Sequence, residues 1–232
     1  MTVSPTNKEL SVLALTLPLE LPQPFHPYQE LAQELLPLTL DGDDGSHDVA
    51  HQQRVWKNAR RIARDEGGEL RILCAAVLLH DCVAVEKNSP QRHLASRMAA
   101  EKAAAMLAVL GWSAVDIEKT AHAIEAHSFS AAIPAQTLEA KILQDADRLD
   151  AIGMIGIARC FYIGGRMRSA LYDAADPLAQ RRPYDDKRFA LDHFETKLFK
   201  LQDGFQTSTG QILAAQRTER MRRFLSELQE EV

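Results

Sequence analysis

The sequence predicts an all-α fold, a bundle packed around one apolar central helix. Three observations point there. Ala and Leu abound while aromatics make up 6% of the chain, a balance that favours helix. No segment keeps the two-residue alternation of a strand, and no internal repeat stands out. Gly, Pro and capping residues divide the chain into pieces of helical length. At 232 residues the expectation is one domain with one core.

Residues 1–25 are proline-punctuated and read as an N-terminal extension, with the domain at 26–232. A short helix is expected over 26–39. The loop DGDDGS at 41–46 then stops the chain and offers Ser46 as N-cap of a helix from about 47 to Glu66, closed by Gly67–Gly68. Residues 69–82 are apolar on nearly every side, as a helix in the middle of a bundle must be. Ser89–Pro90 reads as cap and first turn of a helix ending at Gly111. Ser113 with Asp116 starts another, reaching His127. Helical pattern continues over 136–150 and 151–163 until Gly164–Gly165 breaks it. The stretch 164–186 is rich in turn formers and includes Arg166, Arg168, Arg181 and Arg182. Two amphipathic helices are expected over 187–203 and 208–231.

Composition narrows the function. A net charge of −5 and a pI of about 5.9 argue against a general nucleic-acid or anionic-membrane surface, while leaving room for a local basic pocket. Cys74, Cys82 and Cys160 are odd in number and read as reduced, buried hydrophobes. The segment LSVLALTLPLELP imitates a signal peptide, but Pro18, Pro22 and Glu20 interrupt it and no small-x-small site follows. No apolar stretch approaches membrane-span length. The expectation is a cytoplasmic protein.

Three separated stretches end in metal-binding residues: His51 in HDVAHQQRV, His80–Asp81 closing LCAAVLLHD, and Asp147 in KILQDADRLDAIG. Two imidazoles and two carboxylates suit Mn²⁺, Fe, Co²⁺, Ni²⁺, Zn²⁺ or Mg²⁺. An ionised Asp ending an apolar helix must be paired, hydrogen-bonded or on a metal if it is buried. Each stretch also has an ordinary reading. Asp81 fits a helix end that reaches solvent, His51 a polar face with His47, Asp48 and Arg54, and Asp147 an acidic face with Asp145, Arg148 and Asp150. The set recurring in order weighs against the ordinary readings.

The blocks HDVAHQQRVWKNARRIA, AAVLLHDCVAVEKNSPQRH, AHAIEAHSFSA, KILQDADRLDAIGMIGIARCF and RPYDDKRFALDHFETKLFKL, in that order, resemble the HD superfamily of metal-dependent phosphohydrolases. Within it they are similar to a bacterial subfamily of small hydrolases of the YedJ and YpgQ type, over about residues 40–205. The resemblance implies an all-α HD-domain bundle with a metal site between central helices. It implies one divalent ion, Mn²⁺ favoured, on His51, His80, Asp81 and Asp147, and so selects Asp147 over Asp145. It further implies hydrolysis of a nucleoside triphosphate to monophosphate and pyrophosphate. A nucleoside monophosphatase, a cyclic-nucleotide phosphodiesterase and a non-catalytic metal or nucleotide sensor are the alternatives.

Around that set, Glu86 is a candidate general acid or base, with Asp48 beside His51. Lys87, Arg148, His127, His193 and Lys197 are candidate phosphate contacts. Related guanosine-polyphosphate hydrolases carry a Glu–Asp pair soon after the HD pair. This chain has Val83-Ala84-Val85-Glu86-Lys87 there, which departs from that pattern. The expected partner is a small-molecule nucleotide, with neither nucleic acid nor membrane.

Overall fold

Every residue from Ile72 to Leu79 is at most 1% exposed, so the helix that carries them has neighbours on all sides. In the computed structural model, residues 22–39, 48–83, 85, 92–128 and 131–232 are described. The chain divides into two compact units, residues 1–144 and 145–232.

In the first unit, helix α1 (Gln29–Leu35) runs into a 3-10 turn, Leu36–Leu38. It is followed by α2 (Val49–Glu66), α3 (Leu70–Leu79), α4 (Ala95–Val109), α5 (Ala114–His127) and the start of α6 (Leu138–Asp150). The enclosed helix is α3, against which α1, α2, α4 and α5 all pack. Small residues let the axes approach: Ala75 and Ala76 on α3, Ala99 and Ala103 on α4, Ala123 and Ala126 on α5 are all buried. Each fully buried Leu, Ile or Val contributes about 1.5–3 kcal/mol of transfer free energy. The turn Gln23–Phe25, at the end of the segment expected to be an extension, packs on α1 and α2 with Phe25 fully buried.

The cap of α2 is Asp48 rather than Ser46, which lies outside the described residues. The Asp48 carboxylate accepts the His51 N–H at 2.9 Å and so satisfies one of the unpaired donors of the first turn. The helix closes at Gly67 (φ 90°), followed by Gly68 (φ 101°), conformations that an L side chain adopts only under strain. The cap residue of α3, Glu69, makes no side-chain cap bond. Its N–H is satisfied by Glu139 of α6 at 2.9 Å. Ser113 Oγ accepts the Asp116 N–H at 3.2 Å and starts α5 as expected. Ser89–Pro90 lies outside the described residues, and α4 begins later, after a 3-10 turn at Arg92–Leu94.

The second unit holds the end of α6, then α7 (Gly153–Arg166) and α8 (Ser208–Gln229). The expectation that Gly164–Gly165 ends α7 is overturned. The helix runs through both to Arg166, and a Cβ on Gly164 would come 3.2 Å from the Ala190 Cβ. Gly164 therefore serves close packing. The α-helix expected over 187–203 is likewise replaced by a π-turn, Phe194–Leu198, and a 3-10 segment, Phe199–Gly204. Phe189 is taken up in an isolated bridge to Ala170, where Ala190 N–H donates to Ala170 at 2.9 Å. Tertiary pairing there outcompetes local helical pattern. The rings of Phe161, Phe194, Phe199 and Phe224 form one cluster, with centroids 5.9–6.3 Å apart. Among the described residues there is no strand, and no helix long and apolar enough to cross a membrane.

Asp145 ties α6 to the start of α8. Its carboxylate accepts the Gln206 N–H at 2.8 Å, the Thr207 N–H at 2.8 Å and the Thr207 hydroxyl at 2.7 Å. Burial pushes the Asp145 carboxyl above its ordinary range, against the opposing pull of those hydrogen bonds. A Cβ on Gly210 would run into Asp145 Oδ2. Asp145→Ala strands three donors and should cost about 2–4 kcal/mol. Gly210→Ala should destabilise in the same direction. Chemical denaturation of both variants checks this, and wild-type midpoints would refute it.

Burial also pushes the Cys74 thiol up to about 12 and those of Cys82 and Cys160 to about 11. All three are free. The folded protein should therefore resist iodoacetamide at neutral pH and be alkylated at all three sites once unfolded, as read by mass spectrometry.

Candidate metal centre

Two helices of the first unit bring the pieces together. His51 sits one turn into α2 and is 1% exposed. His80 caps the C-terminal end of α3 in helical geometry (φ −60°, ψ −31°) and is also 1% exposed. Asp81 follows where the chain leaves the helix, with a side chain 28% exposed. The all-apolar wall of α3 thus delivers an imidazole and a carboxylate together to the edge of the core.

His80 Nδ1 lies 2.7 Å from the Val77 carbonyl. A carbonyl only accepts, so this partner assigns the proton to Nδ1, and the neutral ring presents a lone pair at Nε2. His51 Nε2 is 3.3 Å from His80 Nε2. Asp81 Oδ2 lies 3.3 Å from His80 Nε2 and 3.8 Å from His51 Nε2. Lone pairs and a carboxylate converging in this way repel one another unless a proton or cation lies among them. Ligands bound at about 2.0–2.2 Å sit about 3–3.5 Å apart around an ion. The donor atoms of His51, His80 and Asp81 all fall within 4.8 Å of one another. Both the chemistry and the spacing of this set fit a divalent ion.

His127, expected as a substrate contact, belongs to the same cluster. It closes α5, its Nδ1 lies 2.6 Å from the Ile124 carbonyl, and its Nε2 is 3.8 Å from Asp81 Oδ1. Its ring stands edge-on to His80, with centroids 4.9 Å apart. Helical spacing alone did not give this proximity to Asp81, because it depends on how α5 packs on α3. His122, on the same helix, accepts the Gln136 N–H at 3.1 Å instead.

The other candidates divide. Glu86 and Lys87 lie outside the described residues. Asp48 is exposed, and its carboxylate caps α2. Asp147 belongs to the second unit and is half-buried on α6, two residues from Asp145, whose carboxylate is already hydrogen-bonded. Arg148 donates to the Gly204 carbonyl and lies over the Phe205 ring at 5.8 Å. Burial pulls its guanidinium below the ordinary value. Lys197 is exposed on the π-turn. His193 Nδ1 lies 3.1 Å from Asp186 Oδ2, which also accepts the Thr196 hydroxyl at 2.8 Å. These bonds hold the Asp186 carboxyl below its ordinary range. The Asp186 contact was not anticipated, though the spacing D-x₆-H-x₂-T contained it.

The HD domain family model matches residues 49–152. YpgQ of Bacillus subtilis is 31% identical over 83% of this chain and 88% of its own length. The chain belongs to the HD superfamily. A crystal structure of YpgQ in complex with ADP matches with a TM-score of 0.63 at 33% identity, over 81% of this chain and 90% of that one. An HD-superfamily hydrolase from Bacillus thuringiensis matches with a TM-score of 0.63 at 28% identity, over 97% and 96%. This HD protein is a metal-dependent phosphohydrolase. Purified Asp81→Ala and His80→Ala should lose most bound divalent ion by elemental analysis. Full metal content in either would remove that residue from the ligand set.

Proposed function

We propose that the chain hydrolyses a nucleoside triphosphate between its α and β phosphorus atoms, releasing the monophosphate and pyrophosphate. The observation that carries the nucleotide part of this reading is the similarity to YpgQ, whose structure is in complex with ADP. We also propose Asp147 as the fourth metal ligand, on the order of the motifs in the sequence, and Mn²⁺ as the preferred ion, because mixed imidazole and carboxylate sites suit octahedral metals.

A divalent ion with open positions supplies a Lewis acid for a phosphoryl oxygen and hydroxide at neutral pH. The chain's own residues do the rest. His80 and His127 each spend Nδ1–H on a carbonyl of their own helix, so neither ring turns away without losing a buried hydrogen bond. The burial of His51 and His80 keeps bulk water off the core side, while the partly exposed Asp81 marks the side from which substrate arrives. His127 Nε2, next to Asp81, is positioned to take or return a proton during attack. The roles given to Glu86, Asp48, Lys87, Arg148, His193 and Lys197 rest on sequence position, and among the described ones Lys197 is exposed.

Chelation should abolish turnover, and Mn²⁺ or Co²⁺ should restore it at least as well as Zn²⁺. With a triphosphate substrate, ³¹P NMR should show monophosphate and pyrophosphate. Orthophosphate plus diphosphate would move cleavage to the terminal bond. Turnover of monophosphates or cyclic nucleotides with triphosphates inert would establish the alternative substrates. Failure of every divalent ion on every phosphate substrate would leave a sensor. Lys197→Ala should raise KM for the triphosphate, with about 1.5–3 kcal/mol lost per charge-assisted contact.

A further inference from the structure

From Val49 to Arg64, α2 carries five cations and no carboxylate, in a chain whose net charge is −5. The rest of the chain is therefore more acidic than the whole. All five line one groove, Arg54 half-buried among them. Lys57, Arg60, Arg61 and Arg64 are exposed and line this open groove of about 880 Å³, whose apolar part includes Pro24 and Leu70. No Asp or Glu is among the described residues that line it. Lys57, Arg61 and Arg64 follow the i, i+4, i+7 pattern of one helical face and span about 10 Å along the axis. At about 100° per residue those three positions are turned about 80–140° from the direction of His51, so their side chains leave the helix on another side from the His51 imidazole. The cations have neighbours of their own, and Arg61 acts on the Asp65 carboxylate. Arg64 Nε lies 2.9 Å from Asp65 Oδ1 at the surface, a pair that contributes little. Arg60 lies over the Trp56 ring at 5.9 Å.

The geometry points to a second anion site: the α2 groove binds a short polyphosphate, a nucleotide with two or more phosphates, apart from the metal centre. Like charges crowded on one helix face repel one another and are relieved by a multivalent anion. The volume is that of a small-molecule site, and its apolar part suits a base and sugar. A long nucleic acid is disfavoured by the chain's net charge of −5.

The test measures binding, so its result is separate from that of the hydrolytic reading. Metal-loaded wild type, Asp81→Ala and the double variant Lys57→Glu/Arg61→Glu are titrated calorimetrically with inorganic tripolyphosphate and with ADP, at low and high salt. Thermal melts check folding, and Lys57→Ala/Arg61→Ala takes the place of the charge reversal if that variant fails to fold. The expected result is that Asp81→Ala still binds tripolyphosphate, and ADP at one site. The Lys57/Arg61 double variant should lose that binding by at least about tenfold, and added salt should weaken it. Hydrolytic turnover of the double variant should stay near wild type. Absence of tripolyphosphate binding in Asp81→Ala, or binding unchanged by the Lys57/Arg61 substitutions, overturns the proposal. So does a single-stranded oligonucleotide that binds more tightly than tripolyphosphate.

Discussion

The first unit depends on the enclosure of α3 from Ile72 to Leu79. A run of eight residues, Ile72–Leu79, with no charged side chain has no stable position except inside other helices, and α1, α2, α4 and α5 supply that surround. Once they do, the C-terminal end of α3 is fixed from all sides, and His80 and Asp81 leave it in a set direction. The hydrophobic effect thus does the positioning that the metal chemistry needs. The end that carries His80 and Asp81 closes the most deeply buried helix of the unit.

Imidazole orientation is set by a repeated local device. His80 bonds back to Val77 and His127 back to Ile124, each to the carbonyl three residues earlier at a helix C-terminus. Carbonyls there have lost their intrahelical donors. One contact therefore satisfies an orphan acceptor and assigns the ring's tautomer, leaving both Nε2 atoms directed at Asp81. Asp48 stabilises the helix that carries His51 in a comparable way, through the His51 N–H. Helix termini hold this site in place, which is why its ligands fall at starts and ends of segments in the sequence.

The second unit relies on a different constraint. Asp145 is buried with every contact donating to it, and Gly210 is small enough to let α8 approach it. Arg182 does related work, holding Asp192 through two guanidinium contacts at 2.5 and 2.9 Å. Buried carboxylates with matched donors specify one arrangement of the irregular segments, since any other leaves a charge unpaired.

Much of this was legible in the sequence, where the physics is local. The apolar run of α3, the Gly67–Gly68 stop, the Ser113 cap and the HD pair each follow from neighbours a few residues away. The all-α class follows from them too. The tertiary structure decided what depends on distant residues. It carried α7 through Gly164–Gly165, where a Cβ on Gly164 would come 3.2 Å from the Ala190 Cβ, and it replaced the expected 187–203 helix, with Phe189 bridged to Ala170. It also brought His127 to Asp81 and gathered the α2 cations around a groove. Periodicity records which face of a helix is apolar, but not which partner covers it or what lines the cleft left between them.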